Sequence, residues 1–211
     1  SLLVNTAIYD YCPEVIKRFR DRGDEIVAHG RTNSETQDGL SEKDEFELIA
    51  ETTERITEEE GRPPEGWLGP WISETMKTPD ILQENGYKYL LDWCHDDQPT
   101  WMKTCGGEIL SIPYPQELND IPSIVVRKNS AEQFAKIITD NFDEMLEQSR
   151  QQPLVMGIAL HAYIVGQPFR LKHLRNALLH ISRKREDIWF TTAGQIAAHI
   201  RTINIRTPNV L

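Results

Sequence analysis

The residues that could do chemistry are most concentrated behind one predicted strand. Three carboxylates and one imidazole fall within six positions directly after the alternating segment 87–91, and these are Asp92, His95, Asp96 and Asp97. Such a cluster adds nothing to a hydrophobic core, whereas loops at the carboxyl ends of strands commonly carry function in α/β proteins. Trp93 and Trp101 flank it, and aromatic residues beside polar groups are typical of a pocket wall. The stretch therefore predicts a site, with a solvated acidic turn as the alternative.

Three further predicted strand ends carry polar or aromatic side chains. His29, with Glu35 shortly after it, follows the strand at 25–28, Trp71 follows a short strand and turn, and His161 follows the apolar run 154–160. Parallel strands of a barrel all end on one face, so a histidine and a carboxylate from different strands could act there as an acid–base pair. A single histidine in such a position is more often structural, and the hypothesis depends on the recurrence of the pattern.

The elements that would position these side chains alternate along the chain. Strands are predicted at 2–4, 25–28, 66–68, 87–91, 108–112, 154–160 and 188–190. Helices are predicted after Pro13, Ser41, Thr78 and Ser130, over 171–181, and after Thr192. This alternation predicts a mainly parallel sheet with helices outside it, as a barrel or a doubly wound sheet. We see no linker or repeat and expect one domain over residues 1–211. Because the chain opens within a strand and without Met, we expect an upstream part of the domain.

Composition narrows the function class. The net charge of −10 argues against a nucleic-acid partner and fits an enzyme of small substrates. No run approaches the roughly 20 apolar residues that cross a bilayer, so no membrane association is predicted. Three cysteines without Cys-x-x-Cys spacing predict a reducing, cytoplasmic location.

A protein-held metal is not predicted from the residues. A catalytic zinc usually has three protein ligands. His29 is followed four residues later by Asn33, a poor zinc ligand, and the chain contains no His-x-x-x-His. The expected cofactor is therefore none, with zinc as the open alternative.

Several motifs together resemble the polysaccharide deacetylase superfamily, the chitooligosaccharide-deacetylase or carbohydrate esterase 4 group. They extend over nearly the whole chain and comprise His29-Gly30, Gly66-Trp-Leu-Gly-Pro-Trp71, Asp92 with Asp96-Asp97-Gln-Pro-Thr-Trp101, Pro113-Tyr114 with Asn119-Asp120, and Leu160-His161. The resemblance is greatest to the branch of metal-independent allantoinases. It implies a distorted (β/α) barrel that hydrolyses an amide or ureide bond of a small molecule, and a homo-oligomer.

The chain departs from the metal-dependent members of that superfamily. Their Asp-Asp pair after the first strand has no counterpart before His29, so the barrel would lack N-terminal strands in this chain. Asn33 stands where they carry a second histidine, and Trp71 lies in the region of their arginine. These departures argue against metal-dependent sugar deacetylation.

The resemblance also implies roles for individual residues. His161 would protonate the leaving nitrogen, His29 would hold a water or a substrate carbonyl, and Asp96 or Asp97 would orient an imidazole or bind substrate N–H groups, which suits acceptor-only carboxylates. The substrate-binding positions would be Glu35, Trp71, Asp92, Trp101 and Asn119.

Two other interpretations of the sequence remain open. One is a metal-dependent N-deacetylase of an amino sugar, with His29 among its ligands. The other is a catalytically degenerate barrel that binds a sugar or a protein partner, with a stacking floor made of Trp67, Trp71, Trp93 and Trp101.

Overall fold

The computed structural model describes residues 1–203, which fall into two compact units. Among the described residues, the first comprises 1–93, 99–112 and 191–203, and the second comprises 94–98 and 113–190. The prediction of one domain over residues 1–211 stays a prediction, and each unit is described by itself.

The first unit contains a six-stranded sheet. Its strands are β1 (Leu2–Val4), β2 (Ile26–Ala28), β3 (Gly66–Trp67), β4 (Tyr89–Leu90), β5 (Thr100–Thr104) and β6 (Gly107–Ser111), in the spatial order β1-β2-β3-β4-β6-β5. Neighbouring strands are parallel except for β5 and β6, which form an antiparallel hairpin. A mainly parallel sheet was expected, and the carboxyl ends of β2, β3 and β4 lead to His29, Leu68 and Leu91.

The helices of this unit begin and end where local chemistry predicts. They are α1 (Ile8–Tyr11), α2 (Pro13–Arg22), α3 (Glu42–Glu60), α4 (Thr78–Glu84) and α8 (Ala193–Ile203). The Ser41 side chain caps α3 by accepting from the Asp44 amide, and Gly61 ends it in the left-handed conformation. The apolar faces of α2, α3 and α4 contribute Ile16, Ile49 and Leu82 to a buried core around Trp67.

The second unit is built mainly from helices. They are α5 (Ala131–Gln148), α6 (Ala162–Val165) and α7 (Pro168–Ser182), preceded by a wide helical turn over Ile121–Val126. Ser130 and Gln133 form a reciprocal capping box at the start of α5. Phe134, Ile138 and Leu174 lie in a core that α5 and α7 share.

Three predictions about strands were wrong. Residues 154–160 form a single parallel bridge, from Ala159 to Asn119, and residues 188–190 form no strand. Most of the 154–160 run is only half-buried, so its apolar character does not reflect a fully covered strand. Conversely, Trp101 lies within β5, a strand that was not predicted, because the Cys105-Gly106 turn pairs 100–104 with β6.

Within residues 1–203 we find no helix with the length and apolar character that a membrane span requires.

Candidate active site

His161 is held by a buried carboxylate in the second unit. Asp120 is fully buried; its Oδ1 lies 2.6 Å from His161 Nδ1, and its Oδ2 accepts from the His161 amide at 2.8 Å. The single bridge between the chain segments at Asn119 and Ala159 places the two residues side by side, because the Asp120 amide donates to the Ala159 carbonyl. One carboxylate therefore fixes both the backbone and the ring of His161.

The pairing determines which ring nitrogen can exchange a proton. An ionised carboxylate only accepts, so Nδ1 of His161 is the donor and carries a hydrogen. Nε2 is then the proton-exchanging atom, and the side chain keeps 24% of its surface exposed. A histidine oriented by a buried aspartate is an arrangement suited to general acid–base chemistry.

Asp120 was not among the predicted site residues, whereas its neighbour Asn119 was. The Asn119 side chain is buried, and its Oδ1 accepts from the Ile121 amide at 3.1 Å, so it shapes the turn that follows. The sequence signal was the Asn-Asp pair itself, but the pairing of Asp120 with His161 spans 41 residues and is visible only in the fold.

The acidic loop of the same unit is conformationally strained. His95 and Asp97 have φ values of 47° and 57°, a region that non-glycine residues seldom adopt. Burial raises the pKa of Asp97, and Asp96 and Glu117 add to that rise. Burial lowers the pKa of His95, against the opposing effect of Asp96. Backbone strain of this kind clusters at functional sites, and the contribution of Asp96 and Asp97 to a site stays a prediction.

His29 lies in the first unit, at the end of β2. Its side chain is buried, and Nδ1 lies 2.6 Å from the carbonyl oxygen of Leu68. A carbonyl only accepts, so Nδ1 donates and Nε2 carries the lone pair of the neutral ring. The Asn5 side chain donates to the His29 carbonyl, which fixes the backbone at the same residue.

Asp92 is enclosed rather than presented to a ligand. It is 8% exposed, and its Oδ1 accepts from the Gly69 amide at 2.7 Å. Burial and the neighbouring Glu74 carboxyl raise the pKa of Asp92 well above its usual value. Burial likewise raises the pKa of Glu74, whose Oε2 accepts from the Trp93 indole at 3.0 Å. Sequence reasoning missed Glu74, since nothing in the pattern after Trp71 distinguishes it.

The other predicted substrate-binding residues of this unit differ in exposure and in the contacts that hold their side chains. Trp71 is 64% exposed, and its indole donates to the Asn33 carbonyl at 2.7 Å, so the ring is both fixed and accessible. Glu35 accepts two hydrogen bonds from Arg31, at 3.0 and 3.1 Å. The Trp101 ring stacks against the guanidinium of Arg201, 5.2 Å from the ring centre. Trp71 is the member of this set with an exposed face.

The side chains of the described residues do not fit the zinc site that the resemblance to metal-dependent deacetylases would imply. No group of three histidine, cysteine, aspartate or glutamate side chains in residues 1–203 is placed to hold a metal ion. Asn33 is exposed, and its carbonyl is used by Trp71. That the protein holds no metal cofactor stays a prediction.

The chain was compared with family models and with curated protein sequences. No family model matches the chain. A curated peptidoglycan deacetylase of Helicobacter pylori is 23% identical over 87% of this chain and 72% of its own length. The relatives described here are longer than this chain, which spans about two thirds to three quarters of them.

Solved structures match more completely. The crystal structure of Puue allantoinase aligns with a TM-score of 0.84 at 27% identity, over 94% of this chain and 66% of that one. A protein of Mycobacterium smegmatis assigned as a polysaccharide deacetylase aligns with a TM-score of 0.83 at 23% identity, over 99% of this chain and 73% of that one. These matches confirm the predicted fold class, an α/β chain of the polysaccharide deacetylase type.

Proposed function

We propose that this chain, a protein of the polysaccharide deacetylase superfamily, hydrolyses an amide or ureide bond of a small molecule. The observation that carries the proposal is the His161–Asp120 pair, in which a fully buried carboxylate orients a partly exposed imidazole. The chain's likeness to an allantoinase and to a peptidoglycan deacetylase supports the bond type, because both names describe hydrolysis of a non-peptide carbon–nitrogen bond.

His161 acts as the general acid. The neutral ring takes a proton at Nε2 from the water whose oxygen adds to the carbonyl carbon, and the resulting imidazolium gives that proton to the leaving nitrogen as the carbon–nitrogen bond breaks. Asp120 stabilises that imidazolium through the Nδ1 hydrogen bond and does not itself become protonated. For His29, in the first unit, a water-holding role stays a prediction; because Nδ1 donates to the Leu68 carbonyl, Nε2 would accept a hydrogen bond from such a water. Asp96 and Asp97 accept hydrogen bonds from substrate N–H groups.

Ureides are the favoured substrates, and N-acetylated amino sugars are the runner-up. Acceptor-only carboxylates in the acidic loop suit a ligand rich in N–H groups. The curated relative is named for deacetylation of peptidoglycan, which supports an N-acetyl sugar instead. A panel of allantoin, other ureides, N-acetylglucosamine oligomers and peptidoglycan fragments separates the two.

The first experiment compares two histidine–aspartate pairs of the second unit. His161→Ala should lower kcat on the active panel member by roughly 10²- to 10⁴-fold, as expected for a lost general acid. His180→Ala is the matched control, because His180 Nε2 lies 2.7 Å from the exposed Asp143 and should change kcat by less than about twofold. Full turnover by folded His161→Ala protein would contradict the assignment. Absence of turnover in the wild type on every panel member would favour a degenerate binding protein.

That last reading has lost part of its structural basis. Trp67 is fully buried, with its indole donating to Gln37 at 3.0 Å, so it cannot belong to a stacking floor.

A cytoplasmic location remains part of the proposal, and it is supported by three cysteines that form no disulfide. A homo-oligomer also remains a prediction, which light scattering tests.

A further inference from the structure

Two buried carboxyl oxygens of the first unit have no hydrogen-bond donor among the described residues. They are Asp92 Oδ2 and Glu74 Oε1. The other oxygen of each group is satisfied, by the Gly69 amide for Asp92 and by the Trp93 indole for Glu74. The two side chains are within hydrogen-bonding reach of each other. Buried acceptors left without a donor are rare in folded proteins and call for an explanation.

No cation explains the pair. Among the ion pairs of residues 1–203, neither Asp92 nor Glu74 has an arginine, lysine or histidine partner. The other charged group acting on Glu74 comes from α3 and is Glu45, which raises the Glu74 pKa further. Glu45 is itself buried, and its oxygens accept from Gln37, Thr75 and Thr78. Two adjacent ionised carboxylates in such a place would repel each other and lose hydration without compensation.

The pair closes an unusual turn. Gly69 and Glu74 lie at the two ends of a segment in which Trp71 and Ile72 have φ values of 60° and 58°. Both residues are bulky and Ile72 is β-branched, so this conformation costs free energy unless its surroundings enforce it. Inside the segment, the Ser73 hydroxyl donates to the Pro70 carbonyl and accepts from the Gln37 amide. Asp92 contacts the segment at both ends, through Gly69 and through Glu74.

We propose that Glu74 and Asp92 share one proton, and that the resulting acid–carboxylate pair holds the Gly69–Glu74 turn so that Trp71 is presented in its exposed position. Glu74 is then a positioning residue for Trp71, and this positioning role alone rests on the proposed function. An O–H···O⁻ bond between the two groups satisfies both orphaned oxygens and leaves one negative charge in place of two. The pair therefore needs no cation and no further hydrogen-bond donor.

The first test asks whether the proton is present. Infrared spectra at about pH 7 should contain the C=O band of a protonated carboxyl group in the wild type. Glu74→Gln and Asp92→Asn should each remove it, while Glu65→Gln, at an exposed carboxyl of the same unit, should leave it unchanged. A wild-type spectrum without the band would overturn the proposal, and so would a band that survives both substitutions.

The second test uses the linkage between proton binding and stability. The native state holds a proton that the unfolded state releases above about pH 4, so this contribution is complete at low pH and is lost as pH rises through the native pKa. An amide at position 74 donates the same hydrogen bond at every pH. In titrations from about pH 5 to about pH 8, the ratio of the folding constants of wild type and Glu74→Gln should therefore fall as pH rises, by at most about tenfold per pH unit. A constant ratio over this interval would overturn the proposal.

The third test asks what the pair positions. Glu74→Ala removes the hydrogen bond, and the indole N–H resonance of Trp71, assigned with Trp71→Phe, should shift and broaden. Glu74→Gln should restore the wild-type resonance. If the wild type has turnover, Glu74→Ala should raise KM more than it lowers kcat, and Glu74→Gln should rescue KM. An unshifted Trp71 resonance in folded Glu74→Ala protein would overturn the positioning role even if no substrate is found.

Discussion

Two buried aspartates show how the surroundings of a carboxyl group determine its role. Asp120 receives hydrogen bonds from the amide and from the ring of His161, so each of its two oxygens has a donor and the ring is held in one orientation. Asp92 receives one backbone hydrogen bond and faces another carboxyl, so burial raises its pKa. The same residue type therefore serves as an anionic orienter in one unit and as a proton-sharing partner in the other.

The orienting role of Asp120 gives a prediction for Asp120→Asn. The carboxylate accepts with two separate oxygens, whereas in the amide an NH2 group replaces one of them, so either the His161 backbone or Nδ1 faces a donor. We expect kcat to fall by roughly 10²-fold or more, with little change in KM, because the substitution removes stabilisation of the imidazolium. Steady-state kinetics and circular dichroism on the same samples check this. Unchanged kcat in the folded variant would show that Asp120 does not act through His161.

Replacing Gly30 by alanine should cause a steric clash close to His29. Its φ is 67°, and a Cβ there would lie 2.9 Å from Pro70 Cγ. Gly23 has a similar φ of 72° with nothing within 4 Å, so it separates backbone strain from crowding. Gly23→Ala should lower the free energy of unfolding by about 1 kcal/mol, and Gly30→Ala should lower it by about 2 kcal/mol or more. Equal losses in urea titrations would show that Pro70 moves aside at no cost.

At the scale of elements, the sequence predicts what is locally encoded. The caps of α3 and α5 at Ser41 and Ser130, and the glycine end of α2 at Gly23, follow from hydrogen bonds within a few residues. The β5 strand and the bridge at Ala159 depend on which distant segment lies alongside, which an apolar run does not encode. The failures therefore fall where pairing partners, rather than propensity, determine the structure.

The cap of α5 can be measured directly. Ser130 Oγ accepts from the Gln133 amide at 3.1 Å, and Ser130→Ala should lower the free energy of unfolding by about 1 kcal/mol. Ser149, at the other end of the helix, donates its hydroxyl to the Leu146 carbonyl from an exposed position. Ser149→Ala should therefore cost less than about 0.5 kcal/mol. Equal costs in chemical denaturation would show that the cap does not stabilise α5 in this protein.

At the scale of the whole molecule, the candidate site residues divide into those that a motif reveals and those that only tertiary contacts reveal. His29 and His161 stand out because each follows a predicted strand or apolar run in a recurring pattern. Asp120 and Glu74 do not, since their partners His161 and Asp92 are far away in sequence. Residue types and spacing thus identify these two histidines as candidates, whereas the pairing of Asp120 with His161 and of Glu74 with Asp92 is visible only in the fold.

The donor set of the whole chain leads to a prediction about metal dependence. No three-ligand group lies in the part of the chain that the structure describes, and Asn33 replaces the histidine that the resemblance would require. We expect protein dialysed against a strong chelator to keep its turnover of the best ureide substrate within about twofold, because His161 and Asp120 need no metal to transfer a proton. Metal analysis of the same dialysed sample, with a known zinc hydrolase treated in parallel, checks that chelation was effective. Loss of turnover that zinc restores, but that calcium does not, would instead establish the metal-dependent deacetylase reading, with His29 as the first ligand to replace.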